Sequence, residues 1–306
     1  MRRFTDIYKK LYIWRLHHIS EQNYLLLLSV VVGVLSGLAA VALKTVVHLS
    51  GKYVMSVGGA HFATGGGNIL ILFAPLIGIL LTVLFVKYVI KGDIGHGIPS
   101  VLLSISRHKG ALPPRNMYSS LVASTLTVAF GGSVGLEAPI ASTGSAIGSN
   151  VGRFFHVSVR GVKLLLGCGA AGAIAGIFKA PLAGVLFTVE VLMFDMTMTT
   201  AVPLLISALS ASTVAYFLMG HQVQFVFKVA EDFTLGQIPF LVVLGIFCAF
   251  SSVYFLRCTD KVESWFSRSR SWVLKWIVGG VSLGVMIFLF PPLYGEGYWA
   301  LTELEA

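Results

Sequence analysis

Apolar segments long enough to cross a lipid bilayer dominate the sequence and limit what the chain can fold into. Hydrophobic residues make up 56% of the chain, whereas charged residues make up only 11%. This composition is poor for a soluble globule and typical of a bundle of membrane helices. Long spans are predicted at residues 23–49, 69–90, 202–219, 240–256 and 272–290. Because lipid offers no partner for backbone amides, we expect these spans to be helical and the chain to be an all-α membrane protein.

Between Gly95 and Val191 the apolar runs are shorter, because glycine and proline interrupt them. Helices are predicted there near residues 117–130, 140–155, 162–178 and 182–193. Several of these are too short to cross roughly 30 Å of hydrocarbon as straight helices. Broken helices at membrane depth occur where they line a cavity, and they often mark a transport site. We therefore expect the functional site in this region.

One carboxylate, Glu137, lies in this broken region among glycines and shortly before Pro139. An ionisable side chain is costly in apolar surroundings, so Glu137 is a candidate functional residue. Pro139 is suited to the first turn of a helix, where its missing N–H has no cost. The free N–H groups and the positive dipole end of that helix would face the glutamate or an anion that replaces it. The sequence thus predicts an intramembrane anion site that a carboxylate can also occupy.

The net charge of +9 does not require a nucleic-acid partner, and none is expected. Lysine and arginine are concentrated at residues 1–15, 87–91, 107–115 and 257–275, which flank the apolar spans. This pattern is typical of cytoplasmic loops and of side chains at a membrane surface. Residues 1–22 are predicted to form an amphipathic helix on the cytoplasmic side. We expect an integral protein of a bacterial inner membrane with a cytoplasmic amino terminus.

Several motifs together resemble the CLC family of chloride channels and proton–chloride exchangers. GHGIP at residues 95–99 is similar to the family's GSGIP motif, and GLEAP at residues 135–139 is similar to its GREGP motif. Residues 169–191 resemble the stretch that leads to the dimer-forming helix, and residues 290–298 resemble a loop of the second half. The resemblance implies two inverted repeats built from short, broken and tilted helices. It also implies one anion pathway per subunit and a homodimer, here through residues 182–219.

The resemblance implies that Glu137 is the gating residue. It implies anion-binding positions at His96, Gly97, Ile98, Pro99, Ala138, Pro139 and Ile140. His96 replaces the family's chloride-binding serine. Its imidazole N–H either donates to the anion, which would add pH sensitivity, or caps a neighbouring backbone group while main-chain amides hold the anion.

In the exchangers that this chain resembles, a proton-handling glutamate directly follows the position of Glu190. Val191 holds that position here, as in channel members, and valine cannot relay a proton. We therefore predict a channel-like chloride pathway, with a proton-coupled exchanger as the alternative. Glu190 either belongs to a proton pathway or only faces water and anchors the helix end.

The second half of the family's pathway has no match in this sequence. The family's GxFxP motif is similar only to residues 176–181, which lie in the first half, and Phe178 there is expected to pack. A weak internal similarity between residues 32–38 and 244–250 fits a repeat that restarts near residue 233. We therefore predict a first repeat at residues 23–232 and an incomplete second repeat at residues 233–306. A truncated, non-transporting subunit is a further alternative.

An intramembrane enzyme is the remaining hypothesis, with His96, His108 and Glu137 as an acid–base or metal-binding set. The sequence has no HExxH-like pair, and its three cysteines lack metal-ligand spacing. We expect no enzymatic activity, no metal and no cofactor. Chloride is expected only as the bound and transported ion.

Overall fold

A computed structural model of the chain describes residues 20–57, 69–91, 97–220, 234–269 and 271–297. These residues form ten α-helices and no strand, so the all-α prediction is confirmed. The helices are α1 Glu21–Val57, α2 Ile69–Phe85, α3 Ile98–Arg107, α4 Asn116–Ala129, α5 Glu137–Phe154, α6 Val159–Phe178, α7 Pro181–Val191, α8 Met198–Met219, α9 Ile238–Arg268 and α10 Trp272–Leu289. A π-helical turn, Val86–Ile90, ends α2. The amphipathic helix predicted at residues 1–22 falls almost wholly outside the described residues.

Six segments of the described chain are long and apolar enough to cross a membrane. They are Glu21–Tyr53, Leu72–Ile90, Val159–Phe178, Met198–Met219, Leu235–Arg268 and Trp272–Leu289. The prediction of an integral membrane protein is thereby supported. Helices α3, α4 and α7 have only 10, 14 and 11 residues. The expected mixture of full spans and short, broken helices is therefore present.

Two features of the helices differ from the sequence prediction. Helix α3 was not predicted, because its ten residues interleave serines with apolar side chains and form no long apolar run. Helix α9 runs twelve residues past the predicted end at residue 256, to Arg268. A run of apolar residues marks only the part of a helix that lies in lipid. The helix itself can continue into water, where polar and charged residues also form helical turns. The predictions for the other spans agree with the structure to within a few residues at most ends.

Helix α6 forms the centre of the bundle and is buried along almost its whole length. Its small residues let neighbouring backbones approach closely, as is common between membrane helices. A methyl group added to Gly169 would overlap the backbone of Gly144 in α5, and one added to Gly148 would overlap the carbonyl oxygen of Leu165 in α6. These glycine contacts hold α5 against α6.

The first turn of α5 is also fixed against α1. Leu43 and Val47 of α1 share one buried core cluster with Leu136, Ile140 and Ile177. Leu136 and Ile140 are exposed by no more than 1% of their surface. Since these two residues lie on either side of Glu137, the cluster sets the position of the glutamate relative to α1 and to the end of α6.

Candidate functional site

Glu137 is the first residue of α5, three positions earlier than the predicted start of that helix. Leu136 precedes it without a side-chain cap, and the N–H of Ile140 donates to the Leu136 carbonyl oxygen at 3.0 Å. This is the first hydrogen bond of the helix, so the amides of Glu137 and Ala138 have no partner within the helix itself. Ile140 therefore uses its N–H inside the helix. Pro139 has no amide hydrogen to offer, so its contribution is to start the helix.

The carboxylate of Glu137 folds back over the preceding turn and is half-buried. A methyl group added to Gly135 would overlap a carboxylate oxygen of Glu137. The missing side chain of Gly135 thus makes room for the acidic group. This geometry gives the GLEAP motif a physical reason, since any residue other than glycine at its first position would displace the carboxylate.

Gly97 begins the second helix of the site, α3, with a φ angle of 58°. This is a conformation that glycine adopts readily and that other residues resist. Pro99 lies in the first turn, and the N–H of Val101 donates to the Gly97 carbonyl oxygen at 3.4 Å. The Ser100 hydroxyl donates to the same oxygen at 2.7 Å. The amides of Ile98 and Ser100 therefore precede the ladder, whereas Pro99 has no amide hydrogen.

The starts of α3 and α5 meet. A methyl group added to Gly97 would lie 3.8 Å from the Cβ atom of Ala138. Two positive helix ends, each with N–H groups outside the ladder, therefore lie side by side. Ala138 and Pro99 are exposed, so this point is accessible from the surface of the described chain. His96 lies outside the described residues, and both hypotheses about it stay open.

A turn that follows α10 packs against the end of α4 and the start of the connection to α5. The Tyr294 hydroxyl donates to the carbonyl oxygen of Ala129 at 3.0 Å, at the end of α4. The Tyr294 ring also packs on Gly131, which begins the connection to α5. Burial raises the pKa of Tyr294 to about 12, so the hydroxyl stays a neutral donor at physiological pH. Part of the segment quoted for the family resemblance is thus anchored beside the site.

Two further charged residues of the described chain, Glu296 and Lys44, were not selected from the sequence. Burial raises the pKa of Glu296 in this turn; the positive charge of Lys44 opposes the rise, and the negative charge of Glu137 adds to it. Lys44 belongs to α1, and its ammonium group donates to the carbonyl oxygen of Ile177 at 3.3 Å. A lysine inside an apolar span is a signal that could have identified Lys44.

The other candidates from the sequence lie at the ends of α3, α6 and α7. Glu190 is exposed at the end of α7, and Val191 beside it is half-buried. His108 caps the far end of α3, about 15 Å from Gly97 for a ten-residue helix. Phe178 packs against the buried cluster, as expected. Among the described residues no group of three or more His, Cys, Asp or Glu side chains could hold a metal ion.

The structure combines six apolar segments with three short helices, and the starts of α3 and α5 meet next to Glu137. This combination is typical of integral membrane transporters and channels. Residues 77–305 match the family model described as voltage gated chloride channel. The chain belongs to this family. The family resemblance inferred from the sequence is confirmed.

Individual proteins named as chloride channels are also similar to this chain. The chain is 29% identical over 233 residues to a putative ClcB-like chloride channel protein of Ralstonia nicotianae. The aligned residues cover 74% of this chain and 54% of the relative. It is 27% identical to chloride channel protein CLC-e of Arabidopsis thaliana, over 90% of this chain and 40% of the relative. The chain thus spans about half the length of the curated relatives that it matches.

The fold also matches solved structures. The crystal structure of a CLC-type fluoride/proton antiporter superposes with a TM-score of 0.73 at 26% identity, over 90% of this chain and 66% of the antiporter. The fold class of a CLC-like bundle is therefore confirmed. Since the family consists of channels and transporters, the hypothesis of an intramembrane enzyme is set aside. Named relatives include both channels and antiporters, so the family alone does not choose between the two modes.

Proposed function

We propose that the protein carries chloride or a similar small anion across the membrane along a CLC-type pathway that Glu137 gates. The observation that carries the proposal is the meeting of Gly97, which directly precedes α3, with Ala138 in the first turn of α5, one residue after Glu137. The amides of Ile98, Ser100, Glu137 and Ala138 are the donors available for the anion. Pro99 and Pro139 have no amide hydrogen and Ile140 uses its own within α5, so these three residues shape the site rather than donate to the anion.

Neutral donors suit a pathway better than a fixed positive charge. An anion that enters a membrane must replace the hydrogen bonds of its water shell, and amide groups with aligned helix dipoles can do so. A full positive charge at the same point would bind the anion too tightly to release it, whereas conduction needs weak and successive sites. The two helix starts meet this requirement.

Glu137 competes with the anion for this position. When ionised, its carboxylate is the negative group that the helix start favours, and it keeps the anion out. When it is protonated or displaced by an anion, it moves away and the site opens. In the structure the carboxylate lies over Gly135, where the backbone presents no side chain, so this is one position that the carboxylate can occupy.

Val191 at the inner position favours channel-like passage, since valine cannot pass on a proton. We expect purified protein in liposomes to release chloride faster than empty liposomes and to take up no protons in fixed proportion to chloride. A chloride electrode and a pH electrode in the same sample measure both quantities. Proton uptake against its gradient, driven by chloride in a constant ratio, would instead establish the exchanger. Absence of chloride release would favour the non-transporting subunit.

We further propose that two copies associate through α7 and α8. The outward faces of these helices expose Leu182, Leu186, Leu205 and Leu209, and small residues such as Ala183 lie between them. Small and apolar faces allow close contact between membrane helices. The protein is expected in a bacterial inner membrane with its basic amino terminus on the cytoplasmic side.

A further inference from the structure

Basic side chains line an open cavity at the opposite end of α5 from Glu137. The cavity has a volume of about 410 Å³, and its polar lining consists of Lys109, Arg153 and His156. These three exposed residues come from the connection between α3 and α4, the last turn of α5 and the turn before α6. None of the described residues that line the cavity is acidic. The cavity is therefore suited to an anion.

Hydrogen bonds fix the connection that carries Lys109 against the end of α5. The buried Ser149 hydroxyl donates to the Gly110 carbonyl oxygen at 2.6 Å and accepts from the Leu112 N–H at 3.0 Å. The Arg153 guanidinium group donates to the Leu112 carbonyl oxygen at 3.3 Å. The backbones that carry Lys109 and Arg153 are thus held together before any ligand binds. A wall that is already ordered loses less entropy when it binds a ligand.

A second cavity adjoins the first at Arg153, which lines both. It has a volume of about 510 Å³, and Met117, Val151 and Phe154 line it together with Arg153 and Asn150. The Phe154 side chain is 64% exposed, so its ring is available for contact. Arg153 therefore stands between a cavity lined by cations and a cavity lined mainly by apolar side chains. This arrangement fits a ligand that has an anionic part and an apolar part.

The first cavity lies where a membrane span begins. Val159 and Val162 line it, and Val159 is the first residue of α6, which is long and apolar enough to cross a membrane. The end of a spanning helix lies at the depth of the lipid headgroups. Basic residues at this depth attract anionic lipids, and basic pockets between membrane helices bind their headgroups. The depth of the cavity therefore favours a lipid as the ligand.

We propose that Lys109, Arg153 and His156 bind the phosphate group of an anionic phospholipid, and that an acyl chain of this lipid lies along Met117 and Phe154. Arginine offers parallel N–H donors to a phosphate, and lysine adds a compact positive charge. An imidazole donates an N–H whether it is neutral or protonated. The binding is non-covalent. It is independent of the proposed anion pathway, because none of these residues belongs to that pathway.

Charge and shape select this ligand over two related ones. The headgroup of phosphatidylcholine contains its own cation, which the cations of the cavity repel, whereas phosphatidylglycerol has a net negative charge. A free phosphate compound would contact only the first cavity and would leave the exposed ring of Phe154 uncovered. An acyl chain removes this apolar surface from water, which adds to the affinity. We therefore expect phosphatidylglycerol to bind more tightly than either alternative.

Native mass spectrometry of the detergent-purified protein, titrated with phosphatidylglycerol, tests this inference. The first bound lipid should saturate, with a Kd at least about fivefold below the Kd of phosphatidylcholine. We expect K109Q and R153Q each to raise the Kd of phosphatidylglycerol about fivefold, and the double variant to raise it about 25-fold, because each removes one cation that faces the phosphate. R153K keeps the charge and should raise the Kd less than R153Q does.

R268Q is the matched control for charge. Arg268 is an exposed residue at the end of the spanning helix α9, and it lines neither cavity, so its loss should leave the Kd unchanged. K109Q removes a charge without removing the hydrogen bond from Arg153 to Leu112, so its effect is separate from any loosening of the connection. Equal Kd values for K109Q and the unmodified protein, or an equal rise in R268Q and R153Q, would overturn the inference.

Glycerol 3-phosphate and the variant F154A distinguish a lipid from a free phosphate compound. We expect glycerol 3-phosphate to displace phosphatidylglycerol only at concentrations at least about tenfold above the Kd of the lipid, since it lacks an acyl chain. F154A should raise the Kd of phosphatidylglycerol and leave the binding of glycerol 3-phosphate unchanged. If glycerol 3-phosphate binds as tightly as the lipid, or F154A leaves the Kd of the lipid unchanged, the ligand is not a phospholipid and the inference fails.

Discussion

Protein carrying Glu137→Gln is expected to release chloride from liposomes at a rate that no longer varies between about pH 4 and pH 8. Glutamine cannot ionise, so it resembles the protonated gate and leaves the two helix starts open to the anion at every pH. Near neutral pH the variant should be at least about tenfold faster than the unmodified protein, because glutamine has no negative charge that competes with the anion. A chloride electrode that follows release into chloride-free buffer gives the rate.

Glu263→Gln is the matched control for this experiment. It makes the same chemical change on an exposed residue of α9, so its pH profile should equal that of the unmodified protein. If Glu137→Gln keeps the original pH dependence, Glu137 is not the gate. Loss of all chloride release in the variant, with folding intact, would also contradict a role in which the carboxylate blocks the site.

The variant Gly148→Val is expected to prevent stable folding of the bundle. A Cβ atom at this position overlaps the carbonyl oxygen of Leu165, so α5 and α6 would have to separate along their closest contact. Overpacking of a tight interface typically costs 1–3 kcal/mol, and a clash with backbone falls at or above the top of this range. We expect a destabilisation of about 3 kcal/mol or more. Thermal unfolding of the detergent-solubilised protein, followed by size-exclusion chromatography, measures the change.

Gly245→Val provides the comparison for Gly148→Val. Gly245 lies in α9, and a Cβ atom there meets nothing within 4 Å. The control should unfold at nearly the same temperature as the unmodified protein. Similar unfolding temperatures for Gly148→Val and Gly245→Val would show that the contact between α5 and α6 is looser than the structure indicates.

The long spans could be predicted well from the sequence, because a chain this poor in charge rarely contains apolar runs of that length unless they cross a membrane. The prediction missed α3, a ten-residue helix with too few consecutive apolar residues to stand out. The prediction also placed the start of α5 at Ile140 instead of Glu137. Pro139 indicates the first turn of a helix, but it does not show which residue of that turn comes first. Helix ends depend on local capping, which patterns of hydrophobicity do not report.

Glu137 could be selected from the sequence because a carboxylate among apolar residues is conspicuous. Its surroundings could not. The contact between Gly97 and Ala138 joins residues about forty positions apart, and the charge interaction between Lys44 and Glu296 joins opposite ends of the chain. Such pairs depend on how the helices pack, and a single sequence contains no direct sign of them. In the structure the N–H of Ile140 donates to a carbonyl oxygen within its own helix. Ile140 was predicted as an anion-binding position, but its amide is therefore not available to an anion.

Crystals of the Glu137→Gln protein grown in bromide, with diffraction measured at the bromine absorption edge, test most directly whether the carboxylate and the anion share one position. We predict an anomalous peak within hydrogen-bond distance of the Ala138 amide, next to Gly97. In unmodified protein crystallised above neutral pH, the Glu137 carboxylate should fill that position and the peak should be weak or missing. A bromide peak of equal height in both crystals, or no peak near Ala138 in the variant, would contradict a gate formed by Glu137.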